Sequence, residues 1–341
     1  MTTYQHGGDI AAFAKTCGCS EAEVIDLSSN INFIKPRIHT DFNQVDISPY
    51  PNYDALYQRL AAHYSVEPDE LELFNGGSSA IFSFFRHIKK KHKGKQLPCV
   101  IYAPAYLEYK KAADQFGYEL HLIDRFDHID AEVPKGSLVI FVNPSTPDGS
   151  CYHMDALLSH WIEKECTILI DESFIEFTET PSMSNHIKKY DKLYILKSMT
   201  KFWGAAGIRI GALISKNINI HLLQASEPAW KISAFDAHYI QNAIGDTALA
   251  ERTYKLIGEN RDLLIEILEN SPCVDHVFPS CANYLLVRLK TMDAYGLQQR
   301  LLPHRILIRN CENFDGLDRY YVRIAVKEKA YLEKLKEVLD A

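Results

Sequence analysis

Three polar residues, Asn143, Asp171 and Lys201, each stand at or just after an apolar run with the character of a buried strand. The runs cover residues 138–142, 167–170 and 193–196. In an open parallel sheet the carboxyl ends of the strands converge on one crevice, and ligands bind there. An amide, a carboxylate and a lysine delivered to one crevice suit pyridoxal phosphate. The lysine amine can hold that cofactor's aldehyde as a Schiff base and later act as general acid or base. A carboxylate beside the pyridine nitrogen keeps it protonated, so the ring can absorb electrons from a bond breaking at the substrate alpha carbon. Asn143 can donate to the ring's phenolic oxygen, and Arg209 with Ser198 can hold the phosphate. A lysine taken alone is most often a solvated surface group. The ordered set of three outweighs that reading.

Other residues extend the same chemistry. In Asn75-Gly76-Gly77-Ser78-Ser79, between a strand and a helix, glycine lets backbone amides approach a phosphate and the helix start favours an anion. Gly77 and Ser78 are therefore candidate cofactor-phosphate ligands; the plainer reading is a tight turn capped by Ser78. It is no nucleotide loop, since both GxGxxG and the P-loop signature are absent. Tyr106, after Ala103-Pro104-Ala105, is placed to stack on the pyridine ring. Arg309 and Arg323 lie at or in C-terminal strands, and arginine is seldom buried unless paired. Their planar forks match carboxylate or phosphate, so they point to a doubly anionic substrate unless they form structural ion pairs. The basic run Arg86–Lys93 reads as the solvated end of a helix rather than a nucleic-acid patch.

The elements that must position these groups follow from the rest of the chain. Its 341 residues suggest two domains, and a hydrophobic content of 47% is that of a globular protein. Lysine and arginine number 37 against 44 aspartate and glutamate, a net charge of −7, which gives no reason to expect nucleic acid or an anionic membrane as partner. No apolar run approaches the ~20 residues of a membrane span. The opening Met1–Gly8 lacks a basic region followed by an apolar one, so no secretory signal is expected. The eight cysteines are scattered without a CxxC, and read as reduced thiols of a cytoplasmic enzyme, with no metal site.

Helical spacing predicts a short helix over 8–18, another over 53–64, and a long helical stretch over about 235–270. From about 73 to 215, strand-like and helix-like segments alternate, which argues for a largely parallel α/β sheet. A smaller α/β region follows, with strands near 284–288, 306–309 and 320–326 and a closing helix over 331–339. The expected organisation is an N-terminal arm (1–40), a large cofactor-binding domain (41–235) and a small C-terminal domain (236–341).

These motifs resemble fold-type I pyridoxal phosphate enzymes, in the group containing histidinol-phosphate aminotransferase and threonine-phosphate decarboxylase. Three segments are similar to the decarboxylase: His6-Gly7-Gly8-Asp9 with Ser29-Asn30-Ile31-Asn32, Asp171-Glu172-Ser173-Phe174, and Ile306–Leu317. In the second, phenylalanine stands where the aminotransferases usually carry tyrosine. The resemblance implies that Lys201 holds the cofactor and that Asp171, Asn143, Tyr106, Gly77, Ser78, Ser198 and Arg209 bind it. It implies that Arg323 holds the substrate carboxylate, and that His6, Gly8, Asn32, Asn143 and Arg309 serve the substrate and its phosphate. Tyr50, in Ser48-Pro49-Tyr50-Pro51, matches a tyrosine that reaches the cofactor of a neighbouring subunit, so a homodimer with shared sites is implied.

The function this implies is decarboxylation of O-phospho-L-threonine or O-phospho-L-serine to an amino-alcohol phosphate, for assembly of a cobamide nucleotide loop. The alternative is an aminotransferase such as that for histidinol phosphate; a cofactor-binding scaffold without turnover is a third reading. The chain departs from the pattern at Asn32-Phe33-Ile34-Lys35-Pro36, where NPLGP is usual, at Ser79 in place of glutamate, and at Asp148 in place of threonine. Phe33 or Ile34 leaning inward would shrink the pocket, so appreciable, even preferred, decarboxylation of phosphoserine to ethanolamine phosphate is expected; if both pack outward, nothing changes.

Overall fold

The computed structural model describes residues 8–38 and 41–340. Its strands are β1 (Ile25–Asp26), β2 (Leu71–Phe74), β3 (Pro98–Ala103), β4 (Glu119–Asp124), β5 (Leu138–Val142), β6 (Thr167–Asp171) and β7 (Leu193–Ser198). There follow β8 (Gly211–Ser215), β9 (Val274–Val277), β10 (Tyr284–Leu289), β11 (Ile306–Leu307), β12 (Arg309–Asn310) and β13 (Tyr321–Ala325). Seven of them form one sheet in the order β2-β8-β7-β6-β5-β3-β4. Its pairs are parallel except where β8 runs antiparallel to both β2 and β7. Strands β5, β6, β7 and β8 are buried along their whole length, because helices cover both faces and leave no side that tolerates alternation.

The helices are α1 (Ile10–Cys17), α2 (Asp54–Tyr64), α3 (Gly76–Lys91), α4 (Leu107–Gln115) and α5 (Met154–Glu163). The later ones are α6 (Asn217–Gln224), α7 (Ala234–Ala243), α8 (Leu249–Glu269), α9 (Ala294–Leu301) and α10 (Lys329–Asp340). In α1 the Asp9 side chain accepts from the Ala12 amide, and Gly18 ends the helix in the left-handed conformation at φ 65°. Residues 89–91 close α3 as the basic last turn expected of the Arg86–Lys93 run. No helix among the described residues is long and apolar enough to cross a membrane.

Three expectations need correction. The helical stretch over 235–270 is two helices, α7 and α8, parted at Gly245 and Asp246, where the Gly245 and Asp246 amides bond back to Asn242 and Ala243. The single strand expected over 306–309 is divided between two sheets. Strand β11 pairs in parallel with β1, while β12 pairs with β13 in the four-stranded sheet β12-β13-β10-β9. Finally, Cys151 and Cys281, 130 positions apart, form a disulfide, and the other six cysteines are free. Neighbourhood in sequence carries no sign of that pairing, because the fold alone brings the two loops together.

Candidate active site

Strands β5, β6 and β7 end at one crevice, a cleft of about 390 Å³ lined among others by Lys201, Asp171, Ser198, Arg209, Arg309 and Arg323. Lys201 follows the end of β7, and its Nζ donates to Ser198 Oγ at 3.0 Å. Burial pushes the Lys201 amine down from 10.5 to about 8; Asp171 opposes the fall, and the cations Arg209 and Arg323 reinforce it. A lysine of that basicity is partly neutral near pH 8 and can attack a carbonyl.

Asp171 ends β6 and is fastened by three donors. The Ser173 amide and hydroxyl donate to Oδ1 at 2.9 and 2.5 Å, and the Tyr109 hydroxyl donates to Oδ2 at 2.7 Å. Burial and the neighbouring carboxylate push the Tyr109 phenol well above its ordinary range, so it remains a donor. The Phe174 ring lies 5.8 Å from Lys201 Nζ and packs edge-on against Tyr284 at 5.0 Å.

The other end of the cleft is built for an oxyanion group. Helix α3 starts at Gly76 with no side chain capping its first amides, so those donors face outward at the positive end of the helix. Gly76 sits at φ 80°, and a Cβ there would collide with the Arg209 guanidinium. The bare backbone therefore lets arginine and helix start share one small volume. Gly211 has the same role from below, since its Cβ would lie 2.6 Å from the Gly77 amide nitrogen. Ser78 Oγ lies 3.2 Å from the Tyr106 hydroxyl, and Ser198 Oγ lies 3.1 Å from Thr200 Oγ1. Phosphate donors at one end, a carboxylate held in place and a low-basicity lysine fit pyridoxal phosphate: Arg209, Ser198, Gly77 and Ser78 would hold its phosphate, Asp171 its ring nitrogen and Lys201 its aldehyde carbon.

Gly8, Arg309 and Arg323 also line the cleft. Arg323 donates to Thr146 Oγ1 at 3.3 Å and to the Ser28 carbonyl at 3.1 Å, while its buried Nε has no partner. Arg309 donates to Asn313 Oδ1 at 2.8 Å and lies 5.4 Å from the centre of the Phe314 ring. Among the described residues neither arginine is paired with a carboxylate, against the ion-pair reading.

Other predicted residues stand elsewhere. Asn32 is 1% exposed and spends its amide on the Phe202 carbonyl, Thr253 Oγ1 and the Ile34 amide. The arm instead presents Ser28, Ser29, Asn30 and Ile31 to the cleft. Asn143 is buried behind the lining, donating to the Tyr152 carbonyl at 3.1 Å and accepting from the Tyr152 amide at 3.0 Å. Tyr50 is 75% exposed and stacked on Trp230 at 4.2 Å, and is not among the residues that line its own chain's cleft. Ile34 is buried in the main core and Phe33 packs against it, so neither narrows the cleft and the crowding expectation falls. His6 lies outside the described residues. Tyr109 was not legible as a site residue; its only signal is its place three residues after Tyr106, on the first turn of α4.

The sequence matches the family Aminotransferase class I and II over residues 23–339. It is 28% identical to the threonine-phosphate decarboxylase of Salmonella typhimurium, covering 98% of this chain and 95% of that one. It is 27% identical to the adenosylcobalamin biosynthesis bifunctional protein CobDQ of Leptospira interrogans, of whose length it spans 41%. The structure of the histidinol-phosphate aminotransferase from Clostridium acetobutylicum is similar at 30% identity and a TM-score of 0.78, covering 93% of this chain and 98% of that one. The chain belongs to the class I and II aminotransferase family, whose members depend on pyridoxal phosphate, and it has that family's fold.

Proposed function

We propose that this chain decarboxylates an O-phospho-L-hydroxyamino acid, phosphothreonine or phosphoserine, to an amino-alcohol phosphate that serves cobamide nucleotide-loop assembly. The observation that carries the reading is the pair Arg309 and Arg323, two guanidiniums on the cleft with no carboxylate partner among the described residues. A substrate with a carboxylate and a phosphate satisfies both. The likeness to the Salmonella and Leptospira proteins supports the same choice.

When bound, pyridoxal phosphate supplies a sink for the electrons of the bond that breaks at the alpha carbon. The protein's part is positional. Arg323, held by Thr146 and the Ser28 carbonyl, would grip the substrate carboxylate and set the carbon–carboxylate bond across the plane of the ring. Arg309, with Ser29 and Asn30 of the arm, would face the substrate phosphate. Lys201 Nζ would return a proton to the alpha carbon after carbon dioxide leaves, and an amine lowered to about 8 is matched to that exchange near neutral pH. Phe174 offers no hydroxyl beside Lys201, so the amine has no phenol there to share its proton with.

The active form in this reading is a homodimer. Tyr50, Trp230, Phe42 and Phe235 are exposed aromatics in two pairs, the first stacked and the second edge to face, a surface suited to a second copy, and Tyr50 would reach the other subunit's phosphate site. A histidinol-phosphate aminotransferase is the second reading, favoured by the Clostridium structure. The deciding experiment offers phosphothreonine, phosphoserine and histidinol phosphate, and measures carbon dioxide together with glutamate formed from 2-oxoglutarate. Release of carbon dioxide without a need for 2-oxoglutarate is expected. Turnover that requires the oxo acid reverses the assignment.

A further inference from the structure

The Cys151–Cys281 disulfide joins the loop after β5, which carries Asn143 and Thr146, to the turn that leads into β10. Strand β10 pairs directly with β13, Leu286 opposite Arg323. The bond therefore spans the seam between the cofactor sheet and the strand pair that presents Arg323. Weaker links cross the same seam. The Cys281 amide donates to the Gly149 carbonyl at 2.9 Å, Tyr284 hydroxyl to the Ser145 carbonyl at 2.7 Å, Ser150 hydroxyl to the Pro279 carbonyl at 3.3 Å, and Arg323 to Thr146 at 3.3 Å. Gly149, at φ 83°, lets Ser280 close against the loop where a Cβ would collide with it. Both sulfur-bearing residues are only half-buried, whereas four of the six free cysteines are buried. Partial exposure brings the two bonded cysteines nearer to solution than the buried thiols.

We propose that this disulfide is a redox-operated latch on substrate binding. Oxidised, it holds β10 and β13 against the cofactor loop and keeps Arg323 aimed at the cleft. A dithiol reductant opens it in two steps. Its thiolate attacks one sulfur, the Cys151–Cys281 bond breaks, and the second thiol of the reductant then displaces the mixed disulfide. Two electrons and two protons pass to the protein, leaving two thiols, and the reductant becomes a disulfide. The seam is then held by hydrogen bonds alone, Arg323 is less preorganised, and carboxylate-bearing ligands bind roughly tenfold more weakly, the scale of about 1.4 kcal/mol of ordering. The effect on Arg323 rests on its reading as the carboxylate ligand.

The test uses the cofactor-loaded protein purified without reductant. Alkylation in denaturant should label six of the eight cysteines without treatment with dithiothreitol and all eight after it. Binding is read from the absorbance of the bound cofactor. O-phospho-L-threonine should bind roughly tenfold more weakly after reduction, while histidinol phosphate, which lacks a carboxylate, should be unaffected. Cys151→Ser and Cys281→Ser should each behave as the reduced protein in either condition; the comparison of oxidised and reduced wild type stands if a variant fails to fold. Labelling of all eight cysteines before reduction, or equal phosphothreonine affinity in both states, overturns the latch. If neither ligand changes the spectrum, the decarboxylase reading falls and amide exchange at Cys281 decides the latch. Faster exchange after reduction supports it, and unchanged exchange overturns it.

Discussion

The hydroxyl of Tyr109 donates to Oδ2 of Asp171 at 2.7 Å, from a ring wholly buried in the core between α3 and the sheet. With the two bonds from Ser173 to Oδ1, both carboxylate oxygens are tied before any ligand arrives. A fixed acceptor costs no reordering when a ring nitrogen comes to it.

Tyr109→Phe removes one charge-assisted bond of about 1.5–3 kcal/mol while keeping the packing. Cofactor affinity and kcat should each fall roughly tenfold, and the absorbance of the bound cofactor should change its dependence on pH. Wild-type values in all three measurements would show that Ser173 alone positions Asp171.

The Lys201 amine gives a pH prediction with a definite sign. Its basicity falls to about 8 through burial, so the neutral, attacking form is gained as pH rises through that value rather than through 10.5. Rebinding of pyridoxal phosphate to the cofactor-free protein should speed up with a midpoint near 8, and borohydride should fix the cofactor to Lys201. Lys201→Ala should lose both the yellow colour and the fixation. Labelling of another lysine in the wild type sinks the assignment.

What the sequence disclosed and what it hid divide on a physical line. The place of Asp171, Ser198 and Lys201 at strand ends on one cleft is readable because buried parallel strands are continuous apolar runs, so polar residues at their ends stand out. Direction was not readable. Asn32 and Asn143 have the right side chains in the right places, yet both turn to backbone partners that only the folded chain supplies. Tyr109 reaches Asp171 because the fold packs α4 over β3 and β4, within one long side chain's reach of the end of β6, a relationship absent from any local pattern. The division of residues 306–310 between two sheets has the same origin: β1 and β13 compete for neighbouring pieces of one extended segment.

Behind the cleft, Lys197 donates to Glu172 at 2.5 Å with side chains 2% and 1% exposed, and Ser182 bonds to the same carboxylate. Removing one partner strands the other charge in a dry site. Lys197→Met should cost about 3–5 kcal/mol, read from the urea midpoint, and Lys197→Met with Glu172→Gln should recover most of it. Equal losses in the single and double variants would argue against a stranded charge.

Tyr50 tests the shared site. Tyr50 is 75% exposed and stacked on Trp230, and in the homodimer reading it serves the other copy of the chain. Sedimentation should give a dimer, and Tyr50→Ala should bind pyridoxal phosphate roughly tenfold more weakly, the loss of one bond to a charged group. A monomer with full activity at the same concentration would contradict this.

One methyl group separates phosphothreonine from phosphoserine, and both carry the same charged ends for Arg309 and Arg323. Discrimination must come from the walls. Phe33 and Ile34 were the residues able to crowd the site, and both pack into the core instead. The apolar lining that remains includes Ile31, Ile81, Phe174 and Phe314. These surfaces can take up a methyl group at about 0.8 kcal/mol, or roughly fourfold in binding, and nothing at Phe33 or Ile34 opposes it. In the decarboxylase reading, kcat/KM should therefore favour phosphothreonine over phosphoserine by roughly that factor. A clear preference for phosphoserine would falsify this account of the wall, and would mean that a residue other than Phe33 and Ile34 closes on the methyl position.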